Sequence, residues 1–253
     1  MRVMLLSAAV LILAFVFSTE STAQDKKTPP DKAADTKNST DKKKDDRKIA
    51  TEAEIEDHLA KAAVGQKGDR AAQVAWFATV YPPNDEAKAR VAKKLIEFTK
   101  DNTNAVVRGR AGAALPNWAT EEIGPDLIDL IDGNGPTEKV GAITACGKIK
   151  YEKAIPRLVT EINGGNRYGI ATQALIDIGP ACEEQVIPTL EKSVQTAKNA
   201  TQILSKVGTS KSIPALEKAA KTHKSLAPLM EGAIGAIKER EKEKEKDKPQ
   251  DKK

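Results

Sequence analysis

Ala154-Ile155-Pro156-Arg157-Leu158 and, a few residues on, Ala171-Thr172-Gln173-Ala174-Leu175-Ile176-Asp177-Ile178-Gly179 are the stretches that decide the fold. In the first, Pro156 stands where an opening helical turn tolerates it, and Ile162 follows Leu158 by four residues, on the same helical face. In the second, Ala171, Ala174, Leu175 and Ile178 are spaced by three, one and three, which draws one narrow apolar stripe along a helix. Two helices are predicted, the first opened by Pro and the second rich in Ala.

The same couple recurs on both sides. Pro125-Asp126-Leu127, Pro188-Thr189-Leu190 and Pro214-Ala215-Leu216 repeat the first helix, and Ile131, Val194 and Ala220 stand four residues beyond each Leu, as Ile162 does. Ala111, Ala114, Leu115 and Trp118 repeat the second stripe, as do Ala142, Ala145, Cys146 and Ile149, and then Ala200, Ile203, Leu204 and Val207. A weaker copy, Ala233, Ala236 and Ile237, closes the series, and Ala181-Cys182-Glu183 reads as an insertion. Upstream, Val91, Leu95 and Phe98 supply a first helix without the Pro. Ile55 with Leu59, then Ala72, Ala75 and Trp76, suggest a terminal pair, with Tyr81-Pro82-Pro83-Asn84 as the break after it. One such pair cannot bury its own apolar face, so the pairs are expected to stack. With aromatic residues at 4% of the chain, that packing rests on Ala, Ile, Leu and Val.

The repeat resembles the HEAT family, in particular the short, Ala-rich variety named after phycobilisome lyases, over about Val107 to Ile237. The resemblance implies an all-α fold, an α-solenoid of about six HEAT-like helix pairs over residues 49–238. It fixes function weakly, because the fold hosts unrelated activities. Some relatives carry His-Glu pairs that ligate iron, but here His58 precedes Leu59 and His223 precedes Lys224. No metal or other cofactor is expected, and no residue is assigned a catalytic role. Relatives also often carry a basic residue three positions before the stripe. Arg108 and Lys139 match that pattern, whereas Tyr168, Ala197 and Met230 do not.

Outside the repeats the chain changes character. Arg2 followed by the apolar run Val3 to Phe17, then small polar residues to Ala23, has the layout of a secretory signal peptide over 1–23, with cleavage expected after Ala23. The run is shorter than the roughly 20 residues that span a bilayer core, so a membrane is an expected partner only if this segment stays uncleaved. Residues 24–48 and 239–253 are almost devoid of apolar side chains and read as a disordered linker and a charged Glu/Lys tail. The net charge of +5 lies mostly in these ends, so the repeat region is close to neutral and lacks the footprint that a nucleic-acid backbone requires.

Three further patterns invite chemistry and lose to plainer readings. Gly141-Ala142-Ile143-Thr144-Ala145-Cys146-Gly147-Lys148 imitates a phosphate loop, but it has one residue too many between the glycines and a helical stripe running through it. Asp126, Asp129 and Asp132 read as the wet side of a helix rather than a cation site. Cys146 takes the place of Leu115, Leu175 and Leu204 and is a core residue, and Cys182 is too many elements away for a disulfide to be expected.

What remains for function is surface. Projecting each second helix places Gly109, Ala113, Pro116, Val140, Thr144, Gly147, Gly169, Gln173, Ile176, Lys198, Gln202 and Ser205 opposite its stripe, a small and neutral face that suits a polypeptide. Arg108, Arg110, Arg167, Tyr168, Gln173 and Gln202 are the candidate protein-binding residues. The expected function is that of an exported, periplasmic or secreted scaffold or adaptor that binds a protein or peptide. The alternatives are an enzyme or enzyme accessory handling a small ligand, as in the chromophore-lyase-like relatives, and a passive envelope component held by an uncleaved N-terminus.

Overall fold

The structure is a computed structural model that describes residues 47–65, 67–164 and 167–246. The expected signal peptide, the linker up to residue 46 and the end of the charged tail lie outside these residues. Among them the chain is all-α apart from one short strand pairing. No described helix is long and apolar enough to cross a membrane.

Twelve α-helices follow in order: α1 (Glu52–Val64), α2 (Lys67–Trp76), α3 (Asp85–Thr99), α4 (Ala105–Trp118), α5 (Gly124–Asp132), α6 (Pro136–Lys148), α7 (Ile155–Gly164), α8 (Tyr168–Ile178), α9 (Glu183–Val186), α10 (Val194–Val207), α11 (Ile213–Thr222) and α12 (Ala227–Lys246). Starts are set by side chains that satisfy orphan backbone N–H groups. Thr51 and Glu54 form a reciprocal capping box on α1, and Asn84, Asn104 and Ser193 cap α3, α4 and α10. Pro125 and Pro214 sit at the starts of α5 and α11, as their sequence position predicts. Gly179 ends α8 with φ of +95°, a backbone region that side chains rarely adopt.

Neighbours in sequence pack as couples: α1 on α2, α3 on α4, α5 on α6, α7 on α8 and α11 on α12. The second member of each couple also packs on the next, so that α2, α4, α6, α8, α10 and α12 touch in series. The stripes supply these contacts. Ala111, Ala114, Leu115, Trp118, Ala142, Ala145, Cys146, Ala171, Ala174, Leu175, Ala200, Ile203 and Leu204 are all buried, while Ile149, just past the end of α6, is partly so. Leu127, Leu158, Leu190 and Leu216 fill the complementary positions of the first helices. Each fully buried Leu contributes about 1.5–3 kcal/mol.

Two glycine contacts set how closely the second helices approach. A Cβ on Gly141 would lie 1.8 Å from the carbonyl oxygen of Gly112, and one on Gly112 would lie 2.6 Å from Glu138 Cα, so α4 and α6 meet backbone to backbone. At the next crossing a Cβ on Gly147 would fall 2.8 Å from Ala174 Cα. Gly147 is therefore buried against α8 and does not belong to the exposed face on which the projection placed it.

Other differences from the expectations are local. In α2 and just past its end the buried residues are Ala71, Val74 and Phe77, one position away from or beyond Ala72, Ala75 and Trp76. Trp118 selects this register, because its indole Nε1 donates to the Phe77 carbonyl at 2.7 Å and its ring meets the Phe77 ring edge-on at 5.6 Å. Val194 is exposed rather than paired with Leu190, because the chain there breaks into α9 and a 3-10 turn over Ile187–Glu191, and Val194 opens α10 instead.

Both ends of the repeat region reach past their expected limits. Lys48–Ile49 (β1) pairs in parallel with Val80–Tyr81 (β2), and Arg47 donates to Asn117 Oδ1 at 2.8 Å while its guanidinium lies over the Tyr81 ring. The linker expected to run to residue 48 thus ends earlier, since partners distant in sequence satisfy a segment with little apolar content. Residues 239–246, expected as tail, continue α12 because Arg240 donates to the carbonyls of Ser205 and Gly208 at 2.9 and 2.6 Å. Those carbonyls belong to the end of α10, where a cation is favoured.

Candidate protein-binding surface

Basic side chains near the starts of second helices reach acids of the following couple. Arg70 of α2 meets Asp101 at 3.0 Å, Arg108 of α4 approaches Glu138 of α6 at 3.4 Å, and Lys139 of α6 approaches Glu161 of α7 at 3.6 Å. Arg157 closes on the same Glu161 at 3.0 Å. Glu138 and Glu161 are both buried, so each cation offsets the cost of taking a carboxylate out of water.

Arg108 therefore works between couples: it also donates to the Asp101 carbonyl at 2.9 Å and is only partly exposed. The basic residues three positions before the stripe, Arg108 and Lys139, are rungs of inter-couple packing. The series stops at α8, where Tyr168 occupies the corresponding position and is exposed. There α10 packs on α8 and α7, and the Asn199 amide donates to the Ile162 carbonyl at 3.3 Å.

Of the other candidates, Arg110 is exposed on α4, Arg167 is the residue preceding α8, and Tyr168 is the first residue of α8. Gln173 is exposed on α8, where its amide donates to Asp177 at 2.8 Å, and Gln202 is exposed on α10. The six lie on α4, at and on α8, and on α10, with α6 contributing none, and among the described residues no one cavity gathers them. Along the projected face, Ala113, Gly169, Gln173, Lys198 and Gln202 are exposed, while Gly109, Pro116, Val140, Thr144, Ile176 and Ser205 are half-buried.

Two clefts open beside turns between helices. One of about 670 Å³ lies between the α3–α4 and α5–α6 turns, lined by residues that include Asn102, Arg108, Asn134, Thr137 and Glu138. The other, of about 280 Å³, lies between α7–α8 and the start of α10, lined by Ile162, Asn163, Gly164, Tyr168, Ser193, Gln195 and Thr196. The Oδ1 of Asn163 is buried there and has no hydrogen-bond partner among the described residues. Sequence reasoning passed over Asn163 and these clefts, since both depend on how neighbouring couples abut.

The groups that could carry chemistry are occupied in packing. His58 stacks on Trp76 with ring centroids 4.0 Å apart, and His223 Nε2 lies 3.1 Å from the Leu190 carbonyl. Asp126 pairs with Lys100 at 2.9 Å and Asp132 with Arg157, while Asp129 is exposed. Residues 141–148 lie inside α6, as the helical reading of that stretch requires. Burial pushes the Cys146 thiol up to about 12 and the Cys182 thiol up to about 11, so both sulfurs stay protonated and unreactive at neutral pH.

No family model matches the chain, and no curated protein is significantly similar to it.

Proposed function

We propose that the chain is an exported HEAT-like α-solenoid that acts as a protein-binding scaffold or adaptor outside the cytoplasm. The observation that carries this reading is the continuous packing of α2, α4, α6, α8, α10 and α12, which leaves mostly small or uncharged side chains, with Lys198 the exception along the projected face, turned away from the core. A row assembled from several elements offers an extended surface, and its mixture of Gly, Ala, Thr and Gln suits another polypeptide better than a polyanion. Export rests on the leader-like residues 1–23.

The test uses residues 24–253 as bait in an envelope or secreted extract, with residues 47–246 in parallel and mass spectrometry for identification. A near-stoichiometric partner held by both baits supports a scaffold acting through the helices. A partner lost with the ends moves binding into the charged segments, and the absence of any partner overturns the reading. Mass spectrometry of the native protein decides export separately: an N-terminus at Gln24 supports it, and a retained Met1 contradicts cleavage.

A further inference from the structure

Asn-Gly occurs twice in the sequence, as Asn134-Gly135 and Asn163-Gly164. In such a pair the glycine nitrogen can attack the asparagine side-chain carbonyl, because no Cβ shields it, and the fold treats the two pairs differently. Asn134 is exposed in the turn between α5 and α6, and Gly135 stands just before the first turn of α6. Neither the Asn134 side chain nor the Gly135 N–H has a hydrogen-bond partner among the described residues. Gly164 instead closes α7, where backbone N–H groups are committed to carbonyls of the preceding turn, and Asn163 Oδ1 is buried. Asp132-Gly133, which could react in the same way, is also held: the Gly133 N–H donates to the Asp129 carbonyl at 3.0 Å, and Asp132 pairs with Arg157. Packing imposes the glycine at 135, since a Cβ there would lie 2.5 Å from Glu138 Cδ. The reacting nitrogen is thereby left without a side chain beside it.

We propose that Asn134 is a site of spontaneous covalent modification, deamidation through a cyclic imide, from which the fold protects Asn163. The Gly135 nitrogen forms a bond to Asn134 Cγ and gives up its proton, the bond from Cγ to the side-chain nitrogen breaks, and that nitrogen leaves as ammonia. Solvent water then adds to one of the two imide carbonyls and opens the ring. The product at 134 is aspartate, or isoaspartate when the chain is left running through the former side chain. No oxidant or reductant takes part. Either product places a carboxylate in the cleft of about 670 Å³ that Asn134 lines together with Arg108 and Glu138. Arg108, which Glu138 approaches at 3.4 Å, gains a second acid within the same cleft, and the nearly neutral repeat region gains a negative charge beside the start of α6.

The test is peptide mapping by mass spectrometry of the mature chain after incubation in mildly alkaline buffer, folded and in urea, with heavy-oxygen water to mark hydrolysis that occurs during the incubation. In the folded chain Asn134 is expected to gain about 1 Da beyond the isotope label, as two isomeric peptides, at a rate about tenfold or more above that of Asn163. In urea the two rates are expected to converge, because the difference comes from the fold. Asn134→Ser, at an exposed position, is expected to abolish the folded-state signal at 134 and leave Asn163 as slow as before. Equal rates in the folded chain, a faster Asn163, or an unchanged Asn134 while the unfolded chain converts overturns the inference. So does a difference that persists in urea, which would belong to the local sequence, or a product without isoaspartate, which would indicate direct hydrolysis.

Discussion

At Gly141 and Gly112 two helices touch through their backbones, and no other residue leaves room for that contact. Gly141→Ala is expected to destabilise the protein by about 1–3 kcal/mol, because the added methyl forces α4 and α6 apart. Gly235, in the interior of α12, has nothing within 4 Å of where a Cβ would stand, so Gly235→Ala is expected to stabilise by up to about 1 kcal/mol. Urea unfolding of the two variants checks the opposite signs. Glu183 illustrates a second kind of residue-scale constraint. Burial raises its pKa, but hydrogen bonds from the Ser212 hydroxyl at 2.5 Å, the Thr209 N–H at 2.7 Å and the Thr209 hydroxyl hold the carboxyl below its ordinary value. A folded pKa below the unfolded one contributes stability in full above the ordinary carboxylate range, and that contribution fades as pH falls through the folded value. Glu183→Gln is therefore expected to cost about 1–3 kcal/mol at pH 7, with the gap to the parent closing toward pH 3 in urea titrations.

At the scale of elements, the sequence was most legible where one stripe had one period. The residues of the four Ala-rich stripes, Ile149 apart, took the positions expected of them because apolar residues at spacings of three, one and three admit a single buried face. In α2, Ala71-Ala72, Val74-Ala75 and Trp76-Phe77 offer two faces one residue apart, and only the distant Trp118 chooses between them. Arg108 looked like an anchor because its partner Glu138 belongs to the next couple, and Gly147 looked exposed because the helix that covers it lies beyond a turn and a further helix. The extension of α12 is another case in which composition misleads, since its Glu-Lys repeat carries one residue, Arg240, that bonds the end of α10. Truncation after Lys238 is expected to lower the midpoint of thermal unfolding by several degrees, whereas truncation after Lys246 leaves it unchanged; calorimetry of the two shortened chains separates them.

For the molecule as a whole, the serial contact of the second helices is what gathers separate amphipathic helices into one core. Contacts of this kind run mainly between neighbours, so stability and surface are both built up couple by couple. The ion pairs from Arg70, Arg108 and Lys139 hold the earlier couples, and Lys211 with Glu184 and Lys218 with Glu191 join the later ones. The measurement that bears most directly on the proposed scaffold is hydrogen–deuterium exchange of the mature chain, alone and saturated with the partner captured by the bait. We expect new protection along the exposed sides of α4, α6, α8 and α10. Protection confined to residues 24–46 and 247–253, with the helices unchanged, would contradict the account.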